Sequence, residues 1–456
     1  MSGIRGVASA LRLSYNVVAS KIPAGNSITS NKDATMALHS SERRTFLKAS
    51  LGASAVFAIP TIIPSTAFGA NEKIITGHIG VGGRGGGNLR SFLNHAAAVC
   101  DVDSTRVARA VKQVENAGRK CTGHGDFREL LDRSDLDAVV ISTPDHWHAL
   151  PTIMACQAGK DVYCEKPLTL SIVEGRRMVE AARAHKRIVQ TGSQQRSASN
   201  FRLACELVRS GRIGKLERIL VGIPGPNHPG APIPNSDPPA ELDYEMWLGP
   251  APFHPYNKNR IHYNFRFFRD YSGGQMTNWG AHHIDIAQWG MGMDESGPVS
   301  IEAEATFHPQ KWHEVTQTCR ISYRYASGVE LIVGQGQKDV PGGTTFIGSK
   351  GSIFVNRGKL SSNPLTIIKE PITDDDVHLY VSKNHHQNFL DCIKSRELPI
   401  CDVEIGHRSA TVCHLGNMAC ELGRKIQWDP AKEVITGDEA AQELISRPYR
   451  SPWKLL

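Results

Sequence analysis

The chain has 456 residues, 40% of them hydrophobic and 21% charged, which is typical of a soluble globular protein. This length exceeds one ordinary hydrophobic core, so we expect two domains of comparable size with additional segments. The formal net charge is +7, but residues 1–70 contribute seven basic and two acidic side chains, which leaves only +2 for the rest of the chain. Nucleic-acid-binding proteins concentrate basic charge on the working domain, so this distribution argues against a nucleic-acid partner.

Residues 1–70 have the pattern of a targeting segment. Arg43 and Arg44 precede an uncharged stretch, ASLGASAVFAIPTIIPSTAFGA, with small-residue cleavage options near its end. The pattern resembles a twin-arginine export signal and predicts a periplasmic or secreted protein. Prolines within the stretch argue against a membrane span, and we expect no stable span after cleavage. Met36 lies just before the arginine pair and is a candidate for the true translation start.

The next stretch, KIITGHIGVGGRGGGNLRSF, predicts a strand, a glycine turn and a helix. Gly80, Gly82 and Gly85 match G-x-G-x-x-G, in which the glycines allow a tight turn, close approach to a pyrophosphate and close helix-on-strand packing. Gly83 and Arg84 lie in the same turn and are also predicted to contact the cofactor.

A second strand, AAAVCDVD, follows this helix and contains Asp101, 21 residues after Gly80. A Rossmann fold places at this position the acid that accepts hydrogen bonds from the adenosine ribose. A carboxylate also repels a 2′-phosphate, so the sequence predicts NAD rather than NADP.

Strands and helices continue to alternate, which predicts a parallel sheet covered on both faces over residues 71–192. Ligands of such sheets bind at the carboxyl ends of the strands. Two polar clusters are predicted there, TPDHWH and CEKP, and from them we assign to the cofactor site Thr143, Pro144, His148, Glu165 and Lys166.

At these residues the sequence resembles the Gfo/Idh/MocA family, from about Lys73 to the WDP ending at Pro430. The shared motifs are G-x-G-x-x-G, T-P-D-x-x-H, E-K-P and a later G-G…G-x-H-x-x-D. The resemblance implies an N-terminal Rossmann domain and, over residues 193–456, an α/β domain with an open, mainly antiparallel sheet that often mediates oligomers. It further implies oxidation or reduction of sugars and polyols with NAD or NADP, with Lys166 beside the nicotinamide and the substrate, and a homo-oligomer.

The resemblance also implies a general acid/base in the stretch YSGGQMTNWGAHHIDIAQWG, at His282. Four residues earlier the family usually has aspartate, whereas this chain has Asn278. An amide can orient a hydroxyl but cannot take its proton, so the proton transfer falls to His282 and Lys166. A lysine at the end of a strand can also stabilise the developing oxyanion.

Other side chains are predicted to bind the substrate. The stretch QTGSQQRS offers Gln194 and Arg196 for hydroxyl or carboxylate contacts, and the helix after the second glycine turn adds Trp279, His283 and Asp285. Three further aromatic residues either stack on a sugar ring or pack in the core, namely Trp247, Tyr256 and Tyr263.

We predict no metal site. His282, His283, Asp285 and the nearby His262 suggest ligands, but adjacent helical histidines point about 100° apart and do not readily share one ion. The ten cysteines are irregularly spaced without a C-x-x-C pair, which predicts buried thiols rather than zinc ligands or a disulfide framework. Late in the chain, two amphipathic helices are predicted in NHHQNFLDCIKSRELPICD and ATVCHLGNMACELGRKI.

Three functions follow from these observations. The first is an exported NAD-dependent dehydrogenase that acts on a sugar, glycoside or polyol. The second is a redox-assisted glycosidase that keeps NAD bound and oxidises its substrate transiently. The third is a non-enzymatic Rossmann protein that binds a ligand, which the presence of Lys166 and His282 disfavours and Asn278 leaves open.

Overall fold

The computed structural model describes residues 73–456 except Asn227 and Pro229. The predicted export signal, with Arg43, Arg44 and the candidate start Met36, lies outside the described residues.

The first sheet has six parallel strands in the order β3-β2-β1-β4-β5-β6. This is the Rossmann order, which confirms the predicted fold of the N-terminal part. The strands span Thr76–Ile79 (β1), Ala96–Cys100 (β2), Thr122–His124 (β3), Ala138–Ile141 (β4), Asp161–Cys164 (β5) and Val189–Thr191 (β6).

Six helices accompany this sheet and the crossover from it: Gly83–Ser91 (α1), Ser104–Asn116 (α2), Phe127–Leu131 (α3), Ala149–Gln157 (α4), Ile172–Ala184 (α5) and Ser199–Arg209 (α6). The first helix begins inside the glycine cluster, so its free backbone N–H groups face the turn. Helix α5 begins with a capping box, in which the Ser171 hydroxyl accepts from the Glu174 N–H and the Glu174 carboxylate accepts from the Ser171 N–H.

The second sheet has nine strands in the order β13-β12-β11-β7-β10-β9-β8-β14-β15. Only β7 and β10 pair in parallel, so the predicted open, mainly antiparallel sheet is confirmed. The strands span Leu216–Ile223 (β7), Ser300–Thr306 (β8), Thr318–Arg324 (β9), Glu330–Gln335 (β10), Gly343–Gly348 (β11), Gly351–Asn356 (β12), Lys359–Asn363 (β13), Ile426–Asp429 (β14) and Val434–Ile435 (β15).

The remaining helices are Tyr244–Leu248 (α7), Ala281–Met291 (α8), Thr366–Lys369 (α9), His385–Ser395 (α10), Val403–Leu422 (α11) and Glu439–Glu443 (α12). Single helical turns at Asp145–Trp147, Gln194–Ser197, Asn264–Phe267 and Met276–Gly280 connect the longer elements near the first sheet's carboxyl edge.

The prediction that the last two long helices are amphipathic is wrong for α11. This helix packs against α5, α8 and strands β6, β8 and β9, and fourteen of its twenty residues are buried, so it has no broad solvent-exposed face. Helix α10 packs through Phe389 and Leu390 on the first sheet, against Phe92, Val140 and Tyr163. Helix α10, which comes late in the chain, therefore covers the sheet that the earliest described residues form.

The cysteine prediction is confirmed, because all ten cysteines are free and all except the half-buried Cys121 are buried. Across the described residues, no helix is long and apolar enough to cross a membrane. The same part of the chain holds no cluster of three or more histidine, cysteine or acidic side chains arranged for a metal ion.

Candidate functional site

The register of the first sheet brings the predicted motifs to one edge. Ile79 pairs with both Cys100 and Ile141, and Ile141 pairs with Cys164, so β1, β2, β4 and β5 end level. The residues that follow these strand ends therefore lie side by side: Gly80, Asp101, Ser142 and Glu165. The site is thus built from four turns that are far apart in sequence.

A cavity of about 1010 Å³ lies at this edge. Its wall contains residues of the first part of the chain, which forms the six-stranded sheet, and of the second part, which begins at residue 193 and forms the nine-stranded sheet. This volume is at the upper end of the range of small-molecule sites. The predicted residues on its wall are Gly80, Gly82, Gly83, Arg84, Asp101, Thr143, Pro144, Glu165, Lys166, Gln194, Asn278, Trp279 and His282. The predicted residues that do not line it are Gly85, His148, Arg196, His283 and Asp285.

The glycine turn has the shape that a bound pyrophosphate needs. Gly80 adopts φ +80°, and a Cβ there would lie 2.8 Å from the Ser142 carbonyl carbon. A Cβ on Gly85 would lie 1.9 Å from the Gly80 carbonyl oxygen, so this glycine permits the close packing of α1 on β1. By contrast, a Cβ on Gly83 would meet no atom within 4 Å, because this residue opens onto the cavity. The turn therefore fits a dinucleotide phosphate at the N-terminus of α1.

Asp101 is held in place for contact with a ribose. Its carboxylate accepts hydrogen bonds from the backbone N–H groups of Val81, at 2.9 Å, and Asp103, at 3.1 Å. Burial raises the pKa of Asp101, and the nearby Arg106 opposes this effect. Two backbone donors occupy only part of the carboxylate's capacity to accept, so lone pairs remain for two ribose hydroxyls.

Glu165 organises the floor of the cavity. Its Oε1 accepts from Arg84 Nε at 2.8 Å, Asn88 Nδ2 at 3.0 Å and Gln194 Nε2 at 3.1 Å. Burial alone would raise the pKa of this carboxyl, but Arg84 and Lys166 together hold it below its usual range. Glu165 is therefore ionised, and it fixes the side chains around it rather than taking part in proton transfer.

Lys166 reaches across the cavity to the second part of the chain. Its Nζ donates to Asn278 Oδ1 at 2.9 Å and to the Asn278 carbonyl oxygen at 3.1 Å. Burial lowers the pKa of Lys166, against the opposing influence of Glu165 and Asp145. The position at which the family usually has aspartate thus binds the lysine directly, through a neutral amide.

His282 lies on the wall of the same cavity, at the start of α8. Burial, reinforced by the charges of Lys166 and Arg357, lowers the pKa of His282 well below its ordinary value, so the ring is neutral at pH 7. Its Nδ1 is buried without a hydrogen-bond partner among the described residues, which leaves Nε2 to meet a bound molecule. A neutral imidazole in this position can accept a proton.

The predicted substrate contacts of Arg196 and Asp285 require correction. Arg196 is buried in the core, where it pairs with Asp285 at 2.8 Å and with Asp294 at 2.7 Å, and Ser409 also donates to Asp285. Asp285 does share helix α8 with His282, but its side chain faces this ion pair and not the cavity. Both residues hold the second part of the chain together.

Two predicted histidine contacts also lie behind the cavity wall. His283 is 2% exposed and its ring stacks on Trp279, so it supports that indole rather than a ligand. His148 is 1% exposed, and its ring nitrogens lie 2.7 Å from the Pro167 carbonyl oxygen and 3.0 Å from that of Thr143. It therefore ties together two of the strand-end turns without reaching the cofactor site.

The structure separates the three aromatic residues that sequence left open. Trp247 and Tyr263 lie on the cavity wall, but Trp247 is only 3% exposed and packs in the same buried cluster as Tyr256, whereas Tyr263 is 56% exposed. Tyr256 thus has a packing role, Trp247 combines packing with a place on the wall, and sugar stacking remains a prediction for Trp247 and Tyr263.

Several wall residues were not identified from sequence. They are Arg106, Asp145, Ser272, Arg266 and Arg357. Asp145 stood inside the quoted TPDHWH motif, and Ser272 Oγ donates to its Oδ2 at 2.5 Å. The arginines have no local signal: Arg357, for example, is a lone cation in a hairpin turn, and only the fold brings it to the cavity.

A segment of the second part of the chain lies along the nucleotide side. The Ser104 N–H donates to the Glu241 carbonyl oxygen at 2.9 Å, and the Asp243 N–H donates to the Val102 carbonyl oxygen at 2.9 Å. Between them, Leu242 forms an antiparallel β-bridge with Asp103. This segment therefore pairs with residues within three positions of Asp101.

Comparison with known proteins first identifies curated relatives. One is Glycosyl hydrolase family 109 protein 1 of Shewanella sp. (strain MR-4), which is 32% identical over 154 residues. The match covers 32% of this chain and 34% of the relative, so the chain spans about a third of the relative's length.

Solved structures show the same fold at low identity. The WlbA dehydrogenase from Bordetella pertussis, in complex with NADH and UDP-GlcNAcA, is 19% identical with a TM-score of 0.57, over 78% of this chain and 99% of that one. Levoglucosan dehydrogenase, in complex with NADH and L-sorbose, is 18% identical with a TM-score of 0.57, over 78% and 98%.

Two models of one oxidoreductase family match the chain. The model described as the NAD-binding Rossmann fold matches residues 75–193, and the model described as the C-terminal alpha/beta domain matches residues 231–455. Together with the glycine turn, Asp101 and the Lys166–His282 wall, these matches show that the chain belongs to the Gfo/Idh/MocA oxidoreductase family and has an NAD-binding domain.

Proposed function

We propose that this protein is an NAD-dependent dehydrogenase that oxidises a secondary alcohol of a sugar, glycoside or polyol. The observation that carries the proposal is the position of Lys166 and His282, which come from different parts of the chain and line one cavity with the glycine turn and Asp101. A dinucleotide and a small polyol would lie end to end in such a cavity. The geometrically similar dehydrogenases crystallised with NADH support the same reading of the fold.

Different side chains have different roles in the oxidation of the alcohol. NAD, when bound, supplies the acceptor for the hydride that leaves the carbinol carbon. Lys166 Nζ, oriented by Asn278, donates a hydrogen bond to the reacting oxygen and stabilises its developing negative charge. His282, neutral at pH 7, takes the hydroxyl proton at Nε2. Glu165 holds Arg84 and Gln194 and stays ionised throughout.

The experiment that tests this function follows the nicotinamide. Purified protein, checked for bound nucleotide by native mass spectrometry, is incubated with a panel of sugars, glycosides and polyols while absorbance at the reduced-nicotinamide band is recorded. Reduced nicotinamide that forms and persists supports the dehydrogenase. The dehydrogenase proposal is contradicted if no sugar, glycoside or polyol of the panel reduces the cofactor with the wild-type protein, so that it behaves like the Lys166→Ala variant.

A redox-assisted glycosidase is the second candidate. The observation that favours it is the 32% identity with a protein named Glycosyl hydrolase family 109 protein 1, over a segment of 154 residues. The same cavity would then oxidise one carbon of the sugar transiently and reduce it again after the glycosidic bond breaks. Release of a sugar or aglycone without net reduction of the cofactor would identify this activity.

Two further properties are proposed from the sequence. We propose that residues 1–70 direct export by the twin-arginine route and that the mature protein is periplasmic or secreted. We also propose a homo-oligomer that associates through the nine-stranded sheet, which light scattering on the purified protein would test.

A further inference from the structure

The cavity has more positive charge than its own carboxylates neutralise. Arg84 pairs with Glu165 at 2.8 Å, and Arg106 lies 3.3 Å from Asp103. Arg266 and Arg357 also line the wall, yet neither has a carboxylate within ion-pair distance anywhere in the described part of the chain. Arg357 is exposed and Arg266 is half-buried, so neither needs a partner inside the protein. With Arg84, Arg106 and Lys166 they nevertheless give the wall five cations against three carboxylates, those of Asp101, Asp145 and Glu165, and this excess favours an anionic ligand.

Arg357 is held ready for such a ligand. It lies in the turn between β12 and β13, with its guanidinium carbon 4.7 Å from the centre of the Trp279 ring, and its Nε donates to Gln195 Oε1 at 3.2 Å. These two contacts fix the plane of the guanidinium and use one of its five N–H donors. Nη1 and Nη2 have no hydrogen-bond partner among the residues that the structure describes, and together they match the two oxygens of an acid group.

Arg266 is the second arginine on the wall without a carboxylate in ion-pair distance among the described residues. Its guanidinium carbon lies 3.8 Å from the Tyr263 ring centre and 4.9 Å from the Phe265 ring centre, and Nη1 donates to the Tyr263 carbonyl oxygen. Its charge acts on Lys166 and that of Arg357 acts on His282, and each lowers the pKa of its neighbour, though less than burial does. Each arginine therefore lies within electrostatic reach of one member of the catalytic pair.

The cofactor's pyrophosphate is a poor explanation for Arg357. That group is accommodated by the glycine turn at the N-terminus of α1. Arg357 lies over Trp279 and acts electrostatically on His282, both at the substrate end, although the charge of Arg84 in the glycine turn also contributes, after burial, to lowering the pKa of Arg357. An anion at Arg357 would thus belong to the molecule that His282 deprotonates.

We propose that the substrate is a sugar with an acidic substituent, a carboxylate or a phosphate, whose anionic oxygens bind Nη1 and Nη2 of Arg357. Arg266 contributes at longer range, by offsetting the added negative charge near Lys166. The proposal rests on the proposed function for the identity of the reacting hydroxyl, but the anion subsite itself can be measured by binding alone.

The test is calorimetric titration of the protein with NAD bound. The ligands are methyl glucosides and galactosides, the corresponding methyl uronides, and glucose 6-phosphate. We expect one of the acidic sugars to bind about 10- to 100-fold more tightly than its neutral counterpart, as expected for charge-assisted hydrogen bonds to a guanidinium. The better of the uronides and the sugar phosphate identifies the acid group.

Arg357→Gln should make the acidic sugar and its neutral counterpart bind with nearly equal affinity, so that the ratio of their Kd values is close to one. The Kd for NADH should change less than about threefold. Lys359→Gln is the matched control, because it removes the same charge from the same hairpin at an exposed residue that does not line the cavity. It should leave the ratio unchanged. Arg266→Gln should lower the ratio partially.

Several outcomes would overturn the proposal: neutral sugars that bind as tightly as acidic ones, no binding by any sugar, or an Arg357→Gln variant that loses NADH affinity instead of sugar selectivity. The last outcome would assign the arginine to the pyrophosphate. The proposed function fails separately. If an acidic sugar binds selectively but is never oxidised, the anion subsite is supported and the dehydrogenase function is contradicted. If only neutral sugars are oxidised, the dehydrogenase function is supported and the anion subsite is contradicted.

Discussion

Replacing Asp101 with serine should largely abolish the protein's discrimination between NADH and NADPH. In the wild type the carboxylate is fixed by the N–H groups of Val81, at 2.9 Å, and Asp103, at 3.1 Å, and points its remaining lone pairs toward the ribose site. Serine keeps one acceptor for these backbone groups but loses the charge. The substitution therefore removes the ribose contacts without leaving every local donor unpaired.

The magnitude has two parts. Loss of a hydrogen bond to a charged acceptor costs about 1.5–3 kcal/mol in NADH affinity. Two like charges about 4 Å apart repel by about 4 kcal/mol at an effective dielectric constant of 20, and we take about half of this because the ribose edge contacts water. The sum of about 4 kcal/mol corresponds to a change of about a thousandfold in the ratio of the two Kd values. Arg106, which lies 3.3 Å from Asp103 and lines the same cavity, keeps its charge in the variant and would attract a 2′-phosphate.

The assay is titration of nucleotide-free protein with NADH and with NADPH, followed by nicotinamide fluorescence. Asp135→Ser is the matched control, because this exposed carboxylate of the same domain pairs with Arg133 and does not line the cavity. Wild-type protein that binds NADPH as tightly as NADH would refute the reasoning. So would an Asp101→Ser variant with the wild-type ratio.

Lys166→Ala and His282→Ala should each lower turnover about a hundredfold or more, with little change in NADH affinity, because each removes a group that acts on the reacting hydroxyl; full activity in both variants would exclude the mechanism. Since His282 is neutral at pH 7, wild-type kcat/KM for oxidation should stay level as pH falls through 6.5 and decrease only at lower pH. Asn278→Asp places a carboxylate where an amide oxygen now lies 2.9 Å from Lys166 Nζ, so it should raise the pKa of both Lys166 and His282 and move the acid limb of the profile upward by about one unit or more. An unchanged limb would contradict this coupling, and the exposed Asn116→Asp controls for net charge. Replacement of Arg43 and Arg44 by lysine should retain the precursor in the cytoplasm, which cell fractionation measures; unchanged export would refute the twin-arginine proposal.

The first half of the site could be predicted because its signals are local. A strand, a glycine turn and an acid at a fixed spacing specify both the Rossmann unit and the cofactor-facing residues, since the parallel register brings strand ends together. The wall position of Lys166 followed from the same rule.

The second half depends on contacts between distant segments, which spacing does not encode. Arg196 and Asp285 each looked like a ligand contact in its own motif, yet they satisfy one another in the core. Arg357 carries no motif at all and reaches the cavity only because β12 and β13 pair in a hairpin. Likewise the polar residues of α11 suggested a solvent-exposed face, but α5, α8 and strands β6, β8 and β9 pack against this helix and bury most of it.

The packing of α10 on the first sheet has a consequence for how the chain folds during synthesis. Ribosomes release the Rossmann strands first, but Phe389 and Leu390, which cover Phe92, Val140 and Tyr163, emerge only after seven strands of the second sheet. Until then one apolar face of the nascent domain stays bare and open to aggregation. A fragment that stops at residue 192 would keep that face permanently, so the nucleotide-binding half is not a module that can be excised or transplanted without its late helix.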